Sequence, residues 1–176
     1  MNPRTIRPAA TVTTAEPGEP WRWITYAAEQ GHQGSSRLLH VGPVQAPPDV
    51  AKAFDLPDGG EALLRSQVLL LDGEPAELAD CYYPLDLAEG TPMMERRKIR
   101  GGTAGLLAEM GYPPRKTIDL VSARVPTQRE YKALELPSDL PVLRTFRVVL
   151  SDDDRPIEAT VMANAGHLYQ LQYEIP

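Results

Sequence analysis

The sequence of 176 residues predicts an α+β fold: an antiparallel β-sheet with helices packed on one face, built from two strand–helix–hairpin repeats. Three observations predict it. The phrase "KAFDLP" at Lys52 returns at Lys132 as "KALELP", and each copy leads into an apolar run opened by an L-R pair. Each run ends in an acidic turn closed by Pro, "LDGEP" at Leu71–Pro75 and "DDDRP" at Asp152–Pro156. Asp-Gly between apolar runs is a strong hairpin signal. A strand-like segment also precedes each copy, "SRLLHVGPV" from Ser36 and "KTIDLVSARV" from Lys116.

Residues 1–20, ending "AEPGEP", are rich in Pro, Ala and Thr and lack an apolar period, so they read as a linker or tail. Residues 21–176 then form one domain, a size that buries a single core. "EPWRWITYAAEQG" suits one short helix bearing Trp21, Ile24 and Ala28. In the first repeat, "PPDVAKAFDLP" sets Val50, Ala53 and Phe54 at helical spacing and stops at Pro57. "ALLRSQVLLL" and "AELADCYYP" are the two hairpin strands. Between the repeats, Leu106, Leu107 and Met110 suit a helix capped by Thr103 and stopped by Gly111. In the second repeat, Thr127 and Glu130 have capping-box spacing, and "VLRTFRVVL" pairs with "IEATVMA". The closing "GHLYQLQYEIP" alternates as a half-buried strand that would extend the sheet.

Composition removes several function classes. A net charge of −6 opposes binding a phosphate backbone over a broad face. The longest apolar run, Val68 to Leu71, is far short of the ~20 residues of a membrane helix, and no signal peptide is visible. Cys81 is the only cysteine, which fits a reducing cytoplasm and rules out a thiolate zinc site. His32, His40 and His167 lack metal-ligand spacing, and no nucleophile elbow, P-loop or dinucleotide fingerprint occurs. Neither a metal nor a cofactor is expected.

Three features bear chemistry, each with a plain structural reading beside it. "RRKIRGGT" runs Arg96, Arg97, Lys98 and Arg100 into Gly101, Gly102 and Thr103 at a helix start. Such a start attracts anions, or Thr103 is an N-cap beside a solvated basic face. Arg65 and Gln67 share one face of their strand, as do Glu77 and Cys81, with Arg144, Arg147 and Glu158 in the second copy. These residues hold a polar ligand, or they are cross-strand pairs worth ~0.2–1 kcal/mol. Tyr82, Tyr83, Tyr169 and Tyr173 line a pocket, or serve as core with hydroxyls at the rim.

Read in order, "LLRSQVLLLDGEPAELADCYYP", "GGTAGLLAEMGY", "LPVLRTFRVVLSDDDRPIEATVMA" and "HLYQLQYEI" resemble a UTRA domain from about Trp21 to Ile175. That is the effector-binding half of HutC-type GntR transcription regulators, with a chorismate lyase-like fold. The resemblance implies a cytoplasmic small-molecule sensor, homodimeric, with no membrane attachment. It would reach DNA only through a winged helix absent from this chain, and the linker-like start favours a separated effector domain.

In sugar-phosphate-sensing members, arginines on the outgoing hairpin strand and a hydroxyl at the middle helix hold the phosphate, and a Glu on the return strand holds the sugar. Here the hydroxyl is Thr103, behind Gly102. The arginine positions are Gln67 and Leu69, with Arg65 nearby; the Glu position is Ala79, with Glu77 nearby. The charged set is mostly gone, so the resemblance implies the same pocket with a less charged or more apolar ligand. Trp23, Arg147, Glu158 and Tyr169 complete the expected ligand-binding set. A chorismate lyase-like enzyme acting on a small carboxylated metabolite, and a dimerisation module without a ligand, are the alternatives.

Overall fold

The computed structural model describes residues 4–7, 19–138 and 140–174. Strands β1 (Arg4–Ile6), β2 (Gly34–Gln45), β3 (Glu61–Leu71), β4 (Glu74–Tyr83), β5 (Lys116–Arg124), β6 (Val142–Leu150), β7 (Pro156–Ala165) and β8 (Tyr169–Leu171) alternate with five helices. These are α1 (Arg22–Glu29), α2 (Pro48–Ala53), α3 (Leu85–Ala88), α4 (Gly102–Glu109) and α5 (Gln128–Ala133). Six strands form one antiparallel sheet in the order β2-β3-β4-β7-β6-β5. That order is the first repeat followed by the second in reverse, so the repeats meet at β4 and β7 about a pseudo-two-fold axis.

The repeats agree down to a bulge. In the first hairpin Leu69 pairs Glu77 while Leu70 pairs Pro75, leaving Ala76 as the extra residue. In the second, Val149 pairs Glu158 while Leu150 pairs Pro156, leaving Ile157. Both extra residues are fully buried. Glu77 and Glu158 are therefore equivalent, as are Gln67 and Arg147 two residues before the paired Leu69 and Val149. The turns differ in build. Asp72 and Gly73, at φ 54° and 85°, make the two-residue connection that matches strand twist. The second turn is a 3₁₀ segment, Asp152–Asp154, with Asp153 and Asp154 at positive φ.

The predicted capping box is present: Thr127 Oγ1 accepts from the Glu130 N–H at 3.2 Å, and Glu130 Oε2 accepts from the Thr127 N–H at 2.8 Å. Arg124 at the end of β5 clasps the same carboxylate through two 2.7 Å bonds.

The sheet has two covered faces. The repeat helices α2 and α5 share one: Val50 is buried with Tyr82, Phe146 and Ala159, and Arg129 reaches Ser66 and Asp80. The expected one-sided layer describes these two. Helices α1, α3 and α4 cover the opposite face, where Leu63 packs with Tyr83, Leu87 and Leu107.

Other expectations are corrected. Helix α1 buries Trp23, Tyr26 and Ala27, whereas Ile24 and Ala28 are exposed and Trp21 is half-buried. The closing segment does not extend the main sheet: among the described residues β8 pairs with β1 alone, in parallel. Tyr26 OH fixes this small sheet, accepting from the Arg7 N–H at 3.0 Å and donating to Thr5 O at 3.2 Å. Arg4–Ile6, within the stretch read as tail, is thus a strand with Ile6 buried; residues 8–18 lie outside the described residues. Among the described residues no helix is long and apolar enough to cross a membrane.

Two substitutions test this account in urea denaturation. Leu63→Ala, at a fully buried position, lowers stability by about 2–5 kcal/mol. Thr127→Ala, which removes the cap but no core contact, lowers it by about 1 kcal/mol.

Candidate functional site

A cavity of about 490 Å³ lies on the face opposite α2 and α5. Period-two alternation and the register bring Gln67, Ala79 and Met162 into one row of its floor, with Cys81, Thr160 and Arg147 in the next. Trp21, Trp23 and Ile24 wall it from the N-terminal side, Leu38 from β2, and Gly102, Thr103 and Leu107 from α4. Ten of the eleven sequence-expected residues line it: Trp23, Arg65, Gln67, Leu69, Glu77, Ala79, Gly102, Thr103, Arg147 and Glu158. Tyr169 does not. It borders a smaller cavity of about 130 Å³ with Thr5, Tyr26 and Leu71.

The second-repeat half of the floor is internally paired. Arg147 donates through Nε and Nη2 to the two carboxylate oxygens of Asp119, both at 2.7 Å. Glu158 Oε1 accepts from Thr160 Oγ1 at 2.7 Å, and the Tyr83 hydroxyl stands close enough to Glu158 and Thr103 to interact with both. Burial pushes the Glu158 carboxyl and the Tyr83 phenol up from their ordinary values.

The first-repeat half is open. Glu77 is 8% exposed and its Oε2 accepts one bond, from Asn164 Nδ2 at 3.1 Å. Asn164 also donates to Ala76 O at 3.1 Å. No buried polar side-chain atom among the described residues lacks a partner, so the unbonded Glu77 Oε1 opens onto the cavity. Burial pushes the Glu77 carboxyl up to about 7, against lowering by Asn164 and by the charge of Arg147. Gln67 makes no side-chain hydrogen bond among the described residues, although it lines the same floor.

Several expected residues have structural tasks. Arg65 donates Nη1 to Met93 O at 2.5 Å and Glu95 O at 3.0 Å, and Nη2 to Arg97 O at 2.6 Å. Its guanidinium grips the loop between the repeats. Thr103 is not the N-cap of α4; that position is Gly101, in the left-handed region at φ 75°. Gly102, at φ 83°, lies under the Trp21 indole, where any Cβ would collide with the ring. Of the basic run, Arg97 pairs with Glu95 at 2.5 Å and Arg96 reaches Leu39 O at 3.3 Å, while Lys98 and Arg100 stand at the cavity mouth. Arg144 lies elsewhere, on Asp49 at 2.9 Å and over the Phe146 ring. Tyr82 faces α2, and Tyr173 donates to Asp119 at 3.1 Å.

Asp119, Asn164, Leu38 and Met162 were not singled out by sequence reading. The first could have been found by aligning the repeats, since Asp119 pairs with Arg147 as Leu38 pairs with Gln67. Cys81 borders the cavity, but burial raises its thiol far above the ordinary range, so it is no nucleophile. Among the described residues no group of three His, Cys, Asp or Glu could hold a metal.

The family model of the UTRA domain matches residues 29–170. An uncharacterized HTH-type transcriptional regulator of Streptomyces coelicolor is 24% identical over 151 residues, covering 84% of this chain and 56% of that protein. The HTH-type transcriptional regulator GgaR of Escherichia coli K12 is 25% identical over 140 residues, 80% of this chain and 54% of that one. The chain thus spans about half the length of these relatives. A GntR-family transcriptional regulator of known crystal structure superposes with a TM-score of 0.84 at 20% identity, over 100% of this chain and 71% of that chain. The effector domain of PhnF from Mycobacterium smegmatis gives 0.77 at 20% identity, over 97% and 99%.

The Glu77 environment has a measurable consequence. Its folded value, about 7, lies above the ordinary 4.5, so the folded state holds this proton more tightly than the unfolded chain. The associated stability is complete below pH 4.5 and is lost as pH rises to about 7, a change of roughly 3 kcal/mol. Glu77→Gln removes the titration. Urea denaturation shows the variant more stable than the parent at pH 8 and the two converging at pH 4.5.

Proposed function

The chain belongs to the UTRA domain family, and we propose that it is the effector-binding and dimerisation domain of a HutC-type GntR repressor acting in the bacterial cytoplasm. The observation behind this reading is the 490 Å³ cavity, walled by apolar side chains over a few convergent polar groups. DNA would be contacted by a winged helix that is not part of this chain. The named relatives are transcription regulators, and nothing among them supports the chorismate lyase-like enzyme.

Ile6, Pro20, Trp21, Trp23 and Ile24 all border the cavity, so ligand occupancy and the path of the N-terminal segment share contacts. An effector that binds one arrangement of that segment more tightly shifts the population towards it, and so alters DNA affinity. A sugar phosphate is disfavoured. At the positions implied for its arginines and glutamate stand Gln67, Leu69 and Ala79.

Strand β5 supports the homodimer. It is an edge of the six-stranded sheet, and Leu120, Val121 and Ile118 are 63%, 47% and 43% exposed on it, followed by Val125 at 67%. A long apolar edge invites pairing with another strand. A second copy would supply it.

Two experiments test these readings. In the full-length regulator, Ala79→Trp fills the cavity; the expected result is retained operator binding with loss of its release by cell metabolite extract. Undiminished release sinks the effector reading. Sedimentation of Leu120→Lys gives a monomer where the parent is a dimer, and an unchanged dimer removes β5 as the interface.

A further inference from the structure

The two halves of the cavity floor are equivalent in fold and unequal in charge. In the second repeat, Asp119 on β5 faces Arg147 on β6, and Arg147 stands diagonally beside Glu158. In the first repeat the matching register reads Leu38, Gln67 and Glu77. Even the cross-repeat neighbours match: Glu158 interacts with Tyr83, and Glu77 accepts from Asn164, the residue that occupies Tyr83's place in the other copy. The first half therefore keeps the buried acid but replaces its cation by a neutral amide and the cation's own counter-ion by an apolar residue.

Among the described residues Glu77 has no dedicated positive partner. Arg147 acts on it from across the sheet while tied to Asp119 by both carboxylate oxygens. The other ionisable groups around it are Glu158, Cys81 and Tyr169, which add no positive charge. Lys98 and Arg100 are exposed residues bordering the cavity just before α4, and neither is among the groups that act on the Glu77 carboxyl. A buried carboxylate with one open oxygen, diagonal in the register to a Gln67 that makes no side-chain hydrogen bond among the described residues, is a half-built ion-pair site. Trp23 and Leu69 border the same end and offer an aromatic and apolar wall.

We propose that the effector carries a protonated nitrogen, of the amine or amidine class, on an apolar body. The nitrogen sits against Glu77 and Gln67, supplying the charge that Arg147 supplies in the other repeat, and the body lies along Trp23 and Leu69. The proposal rests on the effector-binding reading and narrows it to a ligand class. It also accounts for the missing arginines at Gln67 and Leu69: a site for a cation excludes them.

The test is titration of the protein with phenethylamine and benzamidine, beside phenethyl alcohol and 3-phenylpropionate, followed by tryptophan fluorescence. Trp21 and Trp23 both line the cavity and report occupancy. The expected result is binding of the two cations at pH 8 with little response to the alcohol or the acid. Glu77→Gln, which keeps the shape and the Asn164 contact, should weaken the cations at least tenfold. Affinity should also fall roughly tenfold from pH 8 to pH 6 as Glu77 takes up its proton. Gln67→Arg, which completes the copy of the second repeat, should abolish cation binding while circular dichroism shows the fold intact. Equal or tighter binding of the alcohol or the acid overturns the cation class while leaving the effector cavity standing. Cation binding unaffected by Glu77→Gln overturns the assignment to this carboxylate. If none of the four probes binds, the ligand class falls, and release of operator DNA by metabolite extract still decides the effector reading separately.

Discussion

The guanidinium of Arg65 is the fixed point of the cavity. It is a buried charge on a central strand, and a buried charge is tolerated only when its donors are satisfied. Here the acceptors are three main-chain carbonyls, of Met93, Glu95 and Arg97, in the connection between the repeats. Those bonds hold an otherwise irregular segment against the sheet. They set Met93 into the core and place the left-handed Gly101 and Gly102, from which α4 departs. Trp21 then closes over Gly102, and the cavity acquires its wall. One arginine on β3 thereby links the sheet, the inter-repeat loop and the roof.

The floor beneath that roof departs from what packing alone would select. A sheet face covered by helices is ordinarily apolar, as the opposite face is around Val50, Phe146 and Ala159. On the cavity face the repeats instead retain Glu77 and Glu158 at matching bulges, each turned inwards by the extra residue before it. The second repeat neutralises part of the cost with Arg147 and Asp119 and a chain of hydroxyls. The first does not, and its acid is held near neutrality by burial. Local rules of this kind are broken at functional sites more often than elsewhere.

The parts of the fold that could be read from sequence were those fixed by short-range chemistry. Asp72-Gly73 specified its turn, Thr127 and Glu130 their cap, and the recurrent K-A-x-x-L-P phrase its helix and stop. Positions set by long-range packing were harder. The face of α1 follows from contact with β1 and β8, so Trp23 and Tyr26 turn inwards although Trp21 and Ile24 have equally good helical spacing. The alternation in the final segment was real, but alternation does not name a partner, and β8 found β1. At the site, location was legible and employment was not. Arg65 was visible as a cavity-facing cation; that its acceptors are backbone carbonyls some thirty residues on leaves no mark in the sequence.

The asymmetry of the floor has a spatial consequence for signalling in the proposed regulator. Glu158 belongs to the half under α4, where Tyr83 on the floor faces Thr103 of the helix. Glu77 belongs to the half under α1, next to Ile6, Trp23 and Tyr169 in one apolar cluster. That half also borders β1, three residues long, paired among the described residues with β8 and tied to α1 through Tyr26. Short, singly paired elements open at low free-energy cost. A ligand that changes the charge balance at Glu77 acts where the fold yields most readily, rather than at the rigid centre held by Arg65. Taking such a switch from 1:99 to 99:1 requires about 5.5 kcal/mol of differential binding, more than one exposed ion pair supplies. A charge pair formed inside the cavity, on the buried Glu77 carboxylate, is screened less than an exposed one and comes nearer that scale.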